Sequence, residues 1–191
     1  MKAGIAALIF AYVLSQFYRA FLAVLTGVLG RDIGATPDDL AAASGLWFLT
    51  FAVMQIPVGW ALDTIGPRKT APALLMIGAL GAVVFAMATT VLHIKLAMVL
   101  IGIGCSAVLM AGYFIFAKIY APAVFATLAG VMIGIGSLGN LLSAAPTAWA
   151  VEAFGWRATL MGLAALTAAT AVVMFALIRD PAREVDAPKD G

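Results

Sequence analysis

Charge, cysteine and histidine are all scarce in this chain. Charged residues make up 10% of its 191 residues, against about a quarter in an ordinary soluble domain. With a single cysteine, Cys105, an internal disulfide framework is excluded. The single histidine, His93, lies outside the apolar runs and reads as a solvated loop residue. No nucleophile–base–acid set accompanies it, so the sequence points away from an enzyme. No phosphate-binding loop is present either. Gly102-Ile103-Gly104 falls inside an apolar run rather than after a strand, which argues against ATP-driven work by this chain. A formal net charge of +2 is too small to imply a nucleic-acid partner. No resident cofactor or metal is expected.

Apolar residues fill the space these absences leave. They make up 64% of the chain, with a mean hydropathy of +1.10. A soluble chain of this length has too little interior to hide that much apolar surface. The sequence therefore reads as an integral membrane protein. A helix crosses the bilayer core with about 20 apolar residues. Six segments meet that length, near Ala3–Leu29, Leu40–Leu62, Thr70–Val91, Leu96–Phe116, Phe125–Val151 and Trp156–Ile178. The first is too long for the apolar core of a signal peptide, about 7–15 residues, and no small-residue cleavage site closes it. The runs do not alternate as barrel strands do.

The connections are short and polar. Arg31 to Asp39 holds three acids, and Pro37-Asp38-Asp39 has the composition of a helix start, where acids favour the positive end of the dipole. His93-Ile94-Lys95 reads as a tight link, Lys118 to Ala123 holds Pro122, and Glu152 to Arg157 holds Gly155. Beyond Ile178 the chain turns charged, giving a bundle over residues 1–179 and a tail or linker start over residues 180–191. With the N-terminus inside, the inner side carries Lys2, Arg68, Lys69, Lys118, Arg179, Arg183 and Lys189, and the outer side Arg31, Lys95 and Arg157. Seven against three predicts both termini in the cytoplasm; the expected setting is a bacterial-type inner membrane. Trp149 and Trp156 then fall at the outer interface.

The most informative stretch is Gly59 to Thr70. Gly59, Asp63, Gly66, Arg68 and Lys69 form a compact charged island between the second and third spans. It resembles the loop signature of major facilitator superfamily transporters, with Thr64 and Pro67 standing where basic residues are usual. Gly155-Trp156-Arg157 at the entry to span six, and Gly102 and Gly104 in span four, extend the resemblance. It implies an all-α membrane fold, six transmembrane helices forming one half of the family's twelve-helix body, built as two inverted three-helix repeats. It also implies a gating role for Gly59, Asp63, Gly66, Arg68 and Lys69 against a second six-helix half, supplied by another chain or by a second copy. As a topology anchor the same loop has a simpler reading.

Arg19 is the sharpest single residue, because it lies deep in the first span. A charge at that depth costs at least about 2.5–3.5 kcal/mol on insertion scales and normally faces a water-filled cavity or a partner. Tyr12, Ser15, Arg19 and Thr26 fall at spacings that share one helix face, flanked by Gln16. No acid lies at similar depth in another span. Arg19 therefore reads as a fixed cation for an anionic group of a small solute, or as an arginine reaching outward to the interface. Where the family's proton-coupled members often carry an arginine in helix four, this chain has Met98. Met98 and Cys105 are seven apart and soft enough for copper(I), though both also suit plain packing. Span five carries Gly130, Gly134, Gly136, Gly139 and Asn140. Gly130 and Gly134 make a small-xxx-small pair for close helix approach. The family's antiporter motif places proline after a glycine where this chain has Ile135.

The expected function is secondary transport by alternating access, with Tyr12, Ser15, Gln16, Arg19 and Asn140 lining a midplane site. The expected partners are the lipid bilayer, a small-molecule substrate and a second half. A non-transporting assembly or structural subunit, or a truncated product, remains the alternative.

Overall fold

The computed structural model describes residues 2–181. The last ten residues of the predicted tail lie outside the described residues. Ten helical segments follow one another: α1 (Lys2–Ala20), α2 (Leu22–Ile33), α3 (Pro37–Val53), α4 (Gln55–Thr64), α5 (Pro67–Ala86), α6 (Val91–Ile119), α7 (Pro122–Gly136), α8 (Leu138–Leu142), α9 (Ala145–Phe154) and α10 (Trp156–Leu177). No strand occurs among the described residues. The segments join into six rods, α1–α2, α3–α4, α5, α6, α7–α9 and α10, each containing a helix long and apolar enough to cross a membrane. The interruption at Phe21 is a kink. Its N–H still donates to the Phe17 carbonyl at 3.0 Å, so the hydrogen-bond ladder runs nearly through. Met54 behaves alike, donating to Thr50 at 3.0 Å.

Helix ends differ from the hydropathy boundaries because polar residues cap them rather than leave them. The expected link at His93-Ile94-Lys95 is helical. The turn lies before it, and Thr90 is the N-cap of α6, its hydroxyl accepting from the His93 N–H. His93 is held rather than free, with Nδ1 3.1 Å from the Thr90 hydroxyl. Lys118, expected in a loop, is in the last turn of α6, where a cation meets the negative helix end. The predicted start at Pro37 holds. Thr36 and Asp39 form a reciprocal capping box ahead of α3.

Glycine seams set how closely the rods approach. A Cβ at Gly104 would run into the backbone of Gly78, so α5 and α6 cross almost backbone to backbone. Gly81 faces Leu100 and Ile101, and a Cβ on Gly102 would stand 2.8 Å from the Trp47 carbonyl of α3. The Gly102–Gly104 pattern thus seats α6 against two neighbours at once. In the fifth rod the seam is shifted from its expected place. Gly130 and Gly134 face open space, while Gly136 meets the Tyr12 ring and Gly139 meets the Val13 backbone of α1. Which glycines face a neighbour depends on helix rotation, and the small-residue spacing does not encode that.

Two apolar clusters fill the bundle. One gathers Phe17, Tyr18, Phe21, Trp47, Phe85, Met98, Cys105 and Trp156; the other gathers Leu8, Val58, Leu75, Val108, Phe116, Met132 and Met174. Met98 and Cys105 are therefore core residues. Cys105 is a free, buried thiol, with the buried Ser15 of α1 nearby. A buried bond of 2.9 Å joins the hydroxyls of Tyr18 in α1 and Thr167 in α10.

Polar fasteners close the end of the bundle that holds α6's start. Lys95 Nζ meets Asp39 Oδ1 at 2.9 Å. Arg157 lies 3.7 Å from Asp32, donates to the Ala88 carbonyl at 2.9 Å, and covers the Trp156 ring. Trp156 is buried, with only its Nε1 reaching polar ground at Asp32, 2.8 Å away. Its ring packs inward at that end of the bundle. Trp149 is 66% exposed, as an interfacial ring would be.

Candidate functional site

The residues singled out on span one separate into three directions. Tyr12 and Gln16 stay together. Gln16 Nε2 donates to the Tyr12 hydroxyl at 2.9 Å, and both border the fifth rod, where Gly136 meets the Tyr12 ring and Gly139 meets the Gln16 Cβ. Asn140 follows Gly139 directly in α8 and is exposed. Tyr12 and Gln16 thus border one crossing of the first and fifth rods, and Asn140 is exposed on the fifth rod, next to Gly139 in sequence. Ser15 turns the other way, is 4% exposed, and lies against Cys105 of α6. Arg19 sits in the last turn of α1, near the middle of the α1–α2 rod, and is exposed. Thr26 belongs to α2, beyond the interruption at Phe21, and its hydroxyl donates to the Ala23 carbonyl at 2.9 Å.

Arg19 has an aromatic companion that sequence did not reveal. Its guanidinium carbon lies 5.2 Å from the centroid of the Phe48 ring on α3. The ring face supplies partial negative charge without neutralising the cation. Neither ion pair among the described residues involves Arg19, so its charge is left for another group. Beside Phe48, Trp47 stacks on Phe51 with ring centroids 5.2 Å apart, and its buried indole Nε1 has no hydrogen-bond acceptor. No periodicity in the sequence joins span one to Phe48, since the contact is set by how the rods cross.

The fifth rod bends beside the Tyr12–Gln16 crossing. Pro146 has no N–H for the carbonyl of Leu142, and the hydroxyl of Thr147 donates to that carbonyl instead, at 2.8 Å. The interruption between α8 and α9 is therefore satisfied locally.

At the opposite end from the Asp39–Lys95 pair, the loop of Gly59, Asp63, Gly66, Arg68 and Lys69 is closed around one carbonyl. Ala61 accepts from the N–H groups of Ile65 at 2.8 Å and Gly66 at 3.1 Å, and from the Thr70 hydroxyl at 3.3 Å. Gly66 takes a φ of +100°, which L side chains rarely adopt, and a Cβ there would also stand 2.7 Å from Asp180 Oδ1. Asp180 accepts from the Arg68 N–H at 2.8 Å, occupying the open N-terminus of α5. Arg68 Nε donates to the Phe175 carbonyl at 3.3 Å, with the guanidinium 5.3 Å from the Phe175 ring centroid. The loop is thus fastened to the end of α10. Sequence placed Asp180 in a charged tail; the residue is a cap. Asp63 and Lys69 are exposed, and neither takes part in an ion pair among the described residues. Gly59 is half-buried, with Met110 Cε at ordinary contact distance.

This arrangement offers a cation at mid-rod facing α3, a hydrogen-bonding pair on the same helix facing the fifth rod, and a fastened loop at one end. No group of three histidine, cysteine, aspartate or glutamate side chains is placed to hold a metal among the described residues. A family model described as Major Facilitator Superfamily matches residues 8–191. No curated protein matches the chain. Matched over nearly its whole length, and with six membrane-length apolar helices, the chain is an integral membrane protein that belongs to the major facilitator superfamily of transporters.

Proposed function

We propose that the chain forms one six-helix half of a secondary transporter that moves a small anionic solute by alternating access, working against a second half of the same kind. The observation that carries this reading is Arg19, exposed at mid-rod, placed over Phe48 and matched by no described carboxylate. Burying such a charge without a counter-ion is costly, so a bound anion would recover part of that cost. Tyr12 and Gln16 on the same helix, and Asn140 on the fifth rod, supply neutral hydrogen-bonding groups; Ser15 is buried on another side of α1. Second-half pairing is supported by unequal burial. The membrane windows of the second and fifth rods are 17% buried, against 56–61% in the first, third and fourth. The loop of Asp63, Arg68 and Lys69 then biases one access state, with Arg68 already engaged by α10 and Asp63 left for the partner.

For orientation, the basic residues favour both termini in the cytoplasm, and a bacterial-type inner membrane is the setting this reading takes. Cysteines placed at Asp38 and Lys118 label from opposite faces if this holds; labelling from one face refutes it.

The substrate reading is tested with a panel of small carboxylates and phosphate monoesters. Those that raise the melting temperature of the parent are then offered for uptake into proteoliposomes. Arg19→Ala abolishes both the shift and the uptake while folding as well as the parent, since it removes an unpaired charge. Arg19→Lys restores only part, because an ammonium lacks the planar fork that grips a carboxylate. Uptake unchanged in Arg19→Ala ends the proposal, and uptake lost together with stability assigns Arg19 to structure.

A further inference from the structure

Two apolar grooves flank α5, and they share two residues, Lys69 and Ala73. The first groove runs between α4 and α5, encloses about 410 Å³, and is walled by Met54, Pro57, Trp60 and Leu74. The second runs between α5 and α10, encloses about 360 Å³, and is walled by Pro72, Met76, Val172 and Phe175. Lys69 and Ala73 are one helical turn apart, so they form the low ridge that divides the grooves. Ala73 keeps the ridge small, and Lys69 stands at its head, at the loop end of the helix. Arg68 adds a second cation there, its guanidinium resting on the Phe175 ring that walls the second groove. Lys69 enters neither ion pair among the described residues.

We propose that this is a binding site for one anionic phospholipid straddling α5. Its phosphate rests at Lys69, with Arg68 alongside, and its two acyl chains lie one in each groove. The shape selects the occupant. A diacyl lipid has one anionic head and two apolar chains that separate below it, matching one cationic head above two diverging grooves. A single partner helix fills only one of them, and neither groove presents a polar contact besides Lys69 and Thr70. Basic pockets between transmembrane helices are the usual places where anionic headgroups are held, at about fivefold in affinity for each cation. A zwitterionic lipid brings its own ammonium and gains less from Lys69.

The test uses the full chain in nanodiscs of equimolar phosphatidylglycerol and phosphatidylcholine, with lipids retained on release counted by native mass spectrometry. The parent retains one phosphatidylglycerol in preference to phosphatidylcholine. Lys69→Gln lowers that retention about fivefold, in line with the loss of one cation. Ala73→Phe keeps the charge but raises the ridge, and displaces the lipid; Ala73 is exposed, so the ring enters open space and the variant melts like the parent. Lys118→Gln, at the same end of the bundle but lining neither groove, retains lipid like the parent. Equal retention in the parent, Lys69→Gln and Ala73→Phe overturns the proposal. So does a dimer that Ala73→Phe dissociates without loss of lipid, because it assigns the grooves to a second copy.

Discussion

Replacing Gly104 with alanine tests the tightest contact in the bundle. A Cβ on Gly104 would overlap the backbone of Gly78 on α5, with the Leu74 carbonyl 3.0 Å away. Every one of the three nearest atoms is backbone, so no side chain can rotate aside and the helices themselves must separate. Overpacking of this kind costs about 1–3 kcal/mol, and the absence of a flexible neighbour places Gly104→Ala toward the upper end. Alanine gains about 1 kcal/mol in helix propensity over glycine, which offsets only part of the clash. Gly130→Ala is the matched control. Nothing lies within 4 Å of a Cβ there, so the propensity gain stands alone and the variant is as stable as the parent or up to about 1 kcal/mol more so. Both variants are compared by reversible unfolding in mixed micelles, with helix content followed by circular dichroism. A Gly104→Ala protein as stable as Gly130→Ala would show that α5 and α6 do not meet backbone to backbone.

Thr147→Val leaves the Leu142 carbonyl without its donor and costs about 1 kcal/mol in the same unfolding assay, but close to nothing in a Pro146→Ala background, where the restored N–H reaches that carbonyl; equal costs in both backgrounds would refute the compensation. Asp39 has its acidity strengthened by the hydrogen bond from Lys95, then by those from Thr36, so its pKa lies below the ordinary 3.8. A lowered pKa stabilises above the unfolded value and is lost as pH falls through the folded one. Melting temperature in the parent therefore drops more steeply below about pH 4 than in Lys95→Met, and parallel acid limbs would remove the ion pair from the account.

The six rods were legible because their apolar runs exceed bilayer thickness, and Pro37-Asp38-Asp39 marked a helix start that the capping box completes. Their ends were less legible. Hydropathy stops at His93 and Lys118, whereas the helix carries both, since a cap and a dipole accommodate polar side chains at its ends. The charged loop was recognisable by spacing, but its attachment was not. Asp180 lies 112 positions from Arg68 and belongs to a stretch whose composition says only that it is polar. Arg19 stood out as a charge in an apolar run, while Phe48 did not, since one more phenylalanine in a membrane span carries no signal. The glycines show the limit most plainly. Gly130 with Gly134, and Gly136 with Gly139, both fall at spacings that share a helix face, and only the rotation of the fifth rod decides that the second pair meets α1.

The Asp180–Arg68 contact also orders events in time. A ribosome adding about 5–20 residues per second needs roughly 6–22 s to travel the 112 residues between the two partners. Throughout that interval the charged loop can already close on the Ala61 carbonyl, but the Arg68 N–H at the head of α5 has no Asp180 to meet. The first three rods can insert and the fourth can find its glycine seam, but the N-terminus of α5 receives its carboxylate only when α10 is in place. A chain interrupted before Asp180 therefore carries an open helix end at the loop, whereas a finished one does not. Completion of the six-rod unit is written into the chemistry of α5, its third rod, and a nascent chain cannot satisfy that condition early.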